Sequence, residues 1–458
     1  MTKFQKQMLT IAAAGALTAV TALPAMAFEN EFHGMFAVKT FLSNFDGNGL
    51  VQQENTKTNN YTDQRTRIQY IAKASDDLKL VTHFEMNTSW GTANTYEFAD
   101  KSKVDFGGGD IDTDGTNLVV KHAYLDFNIG KALNVKAGQQ AYKDKIGGLY
   151  VDADLPMAYV TYKQGAYTLG LGYSRFNDEV LTVAGNSYRG DVAGDLYAID
   201  NTYALSKDTK VGFSYYLNRD DSGVATTDFE RKINTLGVFG QTKLGAVDLS
   251  GFAAMQKGYS HKLDVAGTKA QYHGWAANVL AKMKLGNGLA RTGFLFASGD
   301  NNKSEGSNHA WQTLSSNASS SQINSYNDSG MMLLVRNTSM GGTGTDFYMR
   351  KPVTNIALLH MGYDANITEK LYANGNIGMA WLPSSRNELG YSGNATNSGS
   401  DILGTEVNME VGYKLYSNLT LKAQAAYVKL GGAYDGLATG SKDAADPWTL
   451  RAGAFYSF

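Results

Sequence analysis

Lys39, Arg65, Arg67, Lys73, Lys79, His83 and Arg451 are the residues whose types and spacing point most directly to chemistry in this chain. Each occupies an alternate position in a run where polar and apolar residues take turns. Extended backbone sends alternate side chains to opposite sides, so each projects from the polar side of its segment. A row of cations in front of water attracts anions and orients dipolar solutes. Glu85, Asp126, Glu406 and Glu410 fall on polar sides by the same register, which leaves the sign of the preferred solute open. Asp152 and Asp154 lie in the connecting stretch 143–156, from which they would face the cations across a narrow lumen.

Other chemistries have less behind them. No G-x-S-x-G nucleophile elbow occurs, and the seven histidines are scattered without a ligand spacing. His83 lies two residues from Glu85 on one side of a strand, an arrangement suited to hydrating a lumen rather than to catalysis. The glycine cluster Gly342-Thr343-Gly344 follows no strand-to-helix context and signals no nucleotide. Asp110, Asp112 and Asp114 precede Gly115 with the spacing that opens a calcium loop. The twelfth position is Lys121, however, where a bidentate Glu is required. That leaves a divalent-cation site at a loop rim, shared with lipopolysaccharide, and no resident cofactor is expected. With no cysteine there is neither a disulfide framework nor a thiolate metal site. The net charge of −2 argues against nucleic acid.

The elements that carry these residues are strands. Trp448, Leu450, Ala452, Ala454, Tyr456 and Phe458 share one side of the last run, and Thr449, Arg451, Gly453 and Ser457 share the other. An oily strand face at the end of a chain needs lipid to cover it. Similar runs recur near 31–43, 64–75, 78–89, 117–129, 133–142, 157–164, 167–177, 195–205 and 209–219. They continue near 232–243, 246–257, 271–285, 288–299, 354–366, 370–382, 404–416, 419–430 and 447–458. The pattern predicts an all-β, transmembrane antiparallel barrel of about 18 strands (16–18). Short turns such as Asp76-Asp77 and Gly286-Asn287 alternate with long polar loops at 44–63, 90–116, 177–194, 300–353, 383–403 and 431–446. Two runs break the pattern: Lys121 falls in line with Ala123, Leu125 and Phe127, and 232–243 is apolar on both sides. A sandwich also alternates, but runs of ten to thirteen residues suit a tilted membrane strand of about 9–11 better. A propeller would show a blade repeat, and none is present.

Composition agrees, with 50 Gly, 27 Tyr and 20 Phe but only 5 Pro. Proline cannot donate to a sheet ladder, and aromatics suit interfacial girdles. At the other end Lys3 and Lys6 precede the apolar stretch Met8–Leu23 and the small-x-small triplet Ala25-Met26-Ala27. This predicts a cleaved secretory signal over 1–27 and a single barrel domain over 28–458, with a net charge of −4 once both lysines are gone. Closure of the sheet would bring Arg451 beside Lys39.

Taken together, the leader, the hairpins and the terminal Tyr456-Ser457-Phe458 resemble those of Gram-negative outer-membrane porins. Lys121-His122-Ala123-Tyr124-Leu125-Asp126-Phe127 followed by Val135-Lys136-Ala137-Gly138-Gln139-Gln140 is similar to the fourth and fifth strands of that family. More narrowly, the chain resembles the homotrimeric porins of sulfate- and metal-reducing bacteria. The resemblance implies a bacterial outer-membrane location, a homotrimer, and contacts with outer-membrane lipid and lipopolysaccharide. It also implies passive diffusion of small hydrophilic solutes and ions, with Tyr456 and Phe458 read by the barrel-assembly machinery. General porins narrow their lumen with a long third external loop. The matching stretch here, 143–156, is shorter, so either it or 300–353 forms the constriction. A selective channel for a sugar or organic acid is the alternative, with Tyr216, Tyr372 and Phe455 directed inward by register. A barrel enzyme is the remaining class, and nothing in the chain supports it.

Overall fold

Alternation sustained over ten residues or more leaves one sheet face oily and the other polar, and a sheet that closes on itself hides the polar face inside. The computed structural model shows this closure. It describes residues 29–45, 57–91, 109–111, 118–183, 186–221, 229–262, 270–300, 306–314, 324–338, 348–350, 352–384, 400–435 and 444–458. The predicted signal segment and Asp112 and Asp114 lie outside the described residues.

Eighteen strands form the barrel. They are β1 (Glu29–Ser43), β2 (Asn59–Ser75), β3 (Leu78–Ser89), β4 (Leu118–Ile129), β5 (Leu133–Lys143) and β6 (Asp152–Gln164). Next come β7 (Tyr167–Val183), β8 (Asn186–Ala204), β9 (Lys210–Asp220), β10 (Phe229–Leu244), β11 (Val247–Lys262) and β12 (Trp275–Leu285). The last are β13 (Gly288–Ala297), β14 (Ile356–Asn366), β15 (Leu371–Trp381), β16 (Ile402–Tyr416), β17 (Leu419–Leu430) and β18 (Trp448–Ser457). Each pairs antiparallel with its successor, and β18 pairs with β1 from Met35↔Ser457 to Ser43↔Thr449. Gly34 and Phe458 finish the seam with mutual backbone hydrogen bonds of 2.9 and 3.0 Å. No edge remains to aggregate.

The outward side is apolar as expected: Phe36, Leu42, Leu80, Leu125, Phe213 and Leu450 are all exposed. One connection differs from expectation. Residues 177–194 are not a long loop, because β7 and β8 run on to Val183 and Asn186 as one extended hairpin.

Both irregular runs now have physical causes. In β4, His122 pairs with His83 and Val120 with Phe84, so Lys121 is an extra residue, a bulge. The bulge shifts the alternation by one and turns both Lys121 and His122 inward. In β10, Gly237 lies beneath Ile146, since a Cβ there would stand 2.5 Å from the Ile146 side chain. The inner side of β10 is apolar because protein, not water, covers it.

That covering is the core of the molecule, and it sits inside the barrel. Ile146, Leu149, Tyr150, Trp311, Tyr326 and Met331 are all essentially inaccessible. They come from two inward-folded connections, 144–151 between β5 and β6 and the described parts of 298–355 between β13 and β14. Burying each large apolar side chain contributes about 1.5–3 kcal/mol.

Candidate functional site: the inner wall and the loops across it

The two inward loops are joined to each other. Trp311 Nε1 donates to Leu149 O at 3.1 Å and Asn324 Nδ2 to the same oxygen at 2.8 Å. Leu314 N donates to Tyr150 O at 3.0 Å, and Ser325 N to Gly148 O at 3.2 Å. Both expected alternatives for the constriction therefore enter the lumen as one body.

Each loop is held by a buried carboxylate. Asp144 accepts the backbone N–H groups of Ile146, Gly148, Tyr150 and Val151 at 2.6–2.8 Å. Burial pushes its carboxyl up to about 6, against the downward pull of those four donors. Glu406 of β16 reaches across to accept the N–H groups of Met332, Leu333 and Leu334 at 2.6–3.1 Å. Sequence register placed Glu406 inward as a lumen charge. Its observed task is to hold a loop, and it is wholly buried.

Beneath the first loop, Asp200 accepts hydroxyls from Tyr142, Tyr159, Ser214 and Tyr216 at 2.7–3.1 Å. Tyr216 also stacks on Tyr150, with ring centres 5.5 Å apart. It points inward as expected, but the loop covers it, so it offers no surface to a passing sugar. Tyr326 ties the second loop to the barrel through Asn278 at 2.6 Å and His360 at 3.0 Å. These contacts fill the lumen against β8–β16.

Most of the remaining wall, β17–β18–β1–β6, is charged, and β7 joins it to β8 through Arg175 and Asp195, 2.9 Å apart. Lys39 and Arg451 are 1% and 5% exposed, and both lie over the Phe41 ring, at 4.7 and 5.4 Å from its centre. Closure thus brings Arg451 and Lys39 together, as expected. Asp63, directly opposite Lys39 in register, was missed because the alternation becomes readable only at residue 64, whereas β2 begins at Asn59. Arg65 and Arg67 converge on Glu85, at 3.1 and 2.6 Å. Lys79 meets Asp126 at 3.4 Å, with Lys136 at 3.9 Å on the other side. Lys73 stands at the short-turn rim with Glu31 and Glu29. Glu410 accepts from Tyr372 at 2.9 Å and Gln424 at 2.5 Å and pairs with Lys422 at 3.6 Å, while Lys422 also covers Phe455.

Two expectations need correcting. Asp152 and Asp154 do not stand on a loop facing the cations from across the lumen, because both belong to β6. Asp154 pairs with Lys121 and His122 on the same wall, and Asp152 pairs with Lys143 at 3.3 Å and accepts the Ser325 hydroxyl at 2.5 Å. The wall is accordingly a mosaic of ion pairs rather than one pole of a transverse field. Charges left unpaired in a low-dielectric lumen are costly, so neighbouring strands supply opposite signs. The second concerns His83, expected as a member of the basic wall that hydrates the lumen beside Glu85. Its Nδ1 lies 3.2 Å from Nδ1 of His122.

The wall still faces solvent. Arg67, Lys79 and Lys136 keep 28, 39 and 41% of their side chains exposed. In the middle of it, across β18–β1–β2–β3, four cations (Arg451, Lys39, Arg65, Arg67) face two carboxylates, Asp63 and Glu85. Elsewhere, Tyr456 and Phe458 lie on the outer side, half exposed, with ring centres 5.8 Å apart. Asp110 accepts the N–H of Ile111 at 2.7 Å.

No protein-family profile matches the sequence, and no curated protein does. Solved structures do match in fold. OccK9 (OpdG) of Pseudomonas aeruginosa superposes with a TM-score of 0.53 at 13% identity, over 94% of this chain and 98% of that one. A BenF-like porin from Pseudomonas fluorescens Pf-5 gives 0.52 at 13%, over 94% and 98%. OccAB4 of Acinetobacter baumannii gives 0.52 at 12%, over 95% and 100%. None of these matches supports the narrower likeness to homotrimeric porins of sulfate- and metal-reducing bacteria. At such identities the likeness is one of architecture: the chain has the closed eighteen-strand barrel of outer-membrane porins.

Proposed function

We propose that this protein is an outer-membrane channel, selective rather than wide, through which small hydrophilic solutes bearing a carboxylate diffuse passively. One observation carries the reading. The two joined loops fill the lumen against β8–β16 and leave the ion-paired wall of β17–β18–β1–β6 as its solvent-facing side. A solute confined to that side must exchange its hydration for contacts with Arg67, Lys79 and Lys136, on the same wall as the nearly buried cations Lys39, Arg65 and Arg451. The outward apolar strands supply the lipid contact that a bacterial outer membrane would require. OpdK of Pseudomonas aeruginosa, solved with vanillate, has the same architecture at 13% identity and a TM-score of 0.51. Its bound carboxylate supports the class of solute chosen here.

Planar-bilayer recording of the full chain tests the proposal. The expected result is a small single-channel conductance with an anion-preferring reversal potential, reduced by millimolar aromatic or aliphatic carboxylates. A large ohmic conductance indifferent to every carboxylate would favour general diffusion instead, and a sealed barrel would refute both. Counting conductance steps per insertion tests the expected trimer.

A further inference from the structure

Seven histidines are spread along the chain, and folding brings two of them together on the solvent-facing wall. His83 of β3 and His122 of β4 are register partners, and the bulge at Lys121 is what turns His122 inward to meet His83. Their Nδ1 atoms are 3.2 Å apart, with ring planes inclined at 64°. On its far side, His122 Nε2 lies 2.8 Å from Asp154 Oδ1. A hydrogen on Nε2 donated to that carboxylate leaves the Nδ1 lone pair of His122 directed at the same space as Nδ1 of His83. Two nitrogens each about 2.0–2.1 Å from one tetrahedral ion stand about 3.3 Å apart, so the observed spacing is already that of two ligands on a single metal.

We propose that His83 and His122 form a binding site for a late first-row divalent cation (zinc, nickel or copper). Both bind through Nδ1, and Asp154, hydrogen-bonded to Nε2, fixes the tautomer and orientation of His122. Imidazole nitrogens select this class over calcium or magnesium, which take oxygen ligands. The charged groups facing the pair are Lys121 with Asp154 and Arg67 with Glu85. Their formal charges cancel, so affinity rests on the two imidazoles rather than on a field. Among the described residues no group of three or more His, Cys, Asp or Glu could hold a metal. The described residues thus contribute two ligands, and water or a solute's carboxylate completes the shell. Such a site releases its ion readily, as an ion on a solvent-facing wall must.

The test reads binding, so it stands whether or not the barrel conducts as proposed. The full chain in detergent is titrated with Cu²⁺ by calorimetry, and the bound ion is examined by electron paramagnetic resonance. The expected result is one saturable site with a two-nitrogen signature, displaced by Zn²⁺ only in large excess and untouched by Ca²⁺. His83→Ala and His122→Ala each reduce the signature to one nitrogen, and Asp154→Asn weakens affinity about 10–100-fold. Changing His273 and His309, the other described histidine pair, leaves the site intact. His83→Gln, similar in size and polarity, guards against misfolding and must lose the signature while keeping the parent's far-UV spectrum. Copper binding unchanged in both alanine variants, or no saturable binding at all, overturns the proposal.

Discussion

Two arcs of one barrel obey the same rule of alternation and end with opposite interiors. Along β8–β16 the inner side chains are Tyr216, Ile233, Ala254, Ala276 and Leu358, nearly all inaccessible under the two loops. Along β17–β18–β1–β6 they are Lys422, Arg451, Lys39, Arg67 and Lys136; Lys422, Arg67 and Lys136 pair with carboxylates on adjacent strands, and Lys39 and Arg451 lie over the Phe41 ring. What differs is the medium each arc faces. Where a loop is the neighbour, close packing and full hydrogen bonding set the residue types. Where water is the neighbour, paired charges do. An inward strand face that reads as oily is therefore a docking platform for a loop.

The sharpest way to break this contrast is to release the loop. Glu406→Ala leaves the N–H groups of Met332, Leu333 and Leu334 buried without an acceptor. The loss should be about 3–5 kcal/mol of loop docking. Single-channel conductance should rise several-fold, and protease should cut within 324–338 in the variant alone. Tyr150→Ala removes the stack on Tyr216 but keeps the backbone bond to Leu314, at a cost of about 3 kcal/mol. Conductance should again rise, but by less. If neither variant conducts better, the loops do not narrow the path.

On the charged arc, Arg65→Glu with Arg67→Glu puts two more carboxylates beside Glu85. The reversal potential in a salt gradient should swing toward cations while conductance changes less than twofold. The nearest counterpart on the covered arc is Lys282 with Arg291, register partners on β12 and β13 that pair with Asp328 and Asp364.

Acidity gives the mildest test. The Asp144 carboxyl titrates near 6 in the folded loop and near its ordinary 3.8 when released. Between those values the folded form holds the extra proton, so loop docking should weaken as pH rises from 4 to 6 and level off above. Asp144→Asn should flatten that slope in a proteolysis assay of residues 144–151.

All eighteen strands could be read from sequence, because alternation on a membrane barrel is enforced twice, by lipid outside and by water or loops within. The inward direction of Lys39, Arg451, Glu85, Asp126 and Glu410 followed from the same register. The partners did not. Nothing in the run 117–129 says that Lys121 is a bulge, although its misfit with Ala123 and Leu125 was the visible sign of one. Likewise the two-sided apolar run 232–243 marked the platform for Ile146, a contact set by a loop some ninety residues away. The convergence of His83 and His122 depends on that bulge, so spacing in sequence could not reveal it. The carboxylates of Asp152 and Asp154 were assigned to a loop because Pro156 ended the readable strand. Pro156 sits opposite Gln139 within β6, and the strand begins before it.

The absence of native cysteine makes one measurement decisive. Single cysteines are placed on the charged arc (Arg67→Cys, Lys79→Cys) and on the covered arc (Ala254→Cys, Ala276→Cys), and a small charged thiosulfonate is added to channels in a planar bilayer. Conductance should fall stepwise within seconds at the first two positions and stay unchanged at the other two. Equal modification of both arcs would contradict the contrast between them.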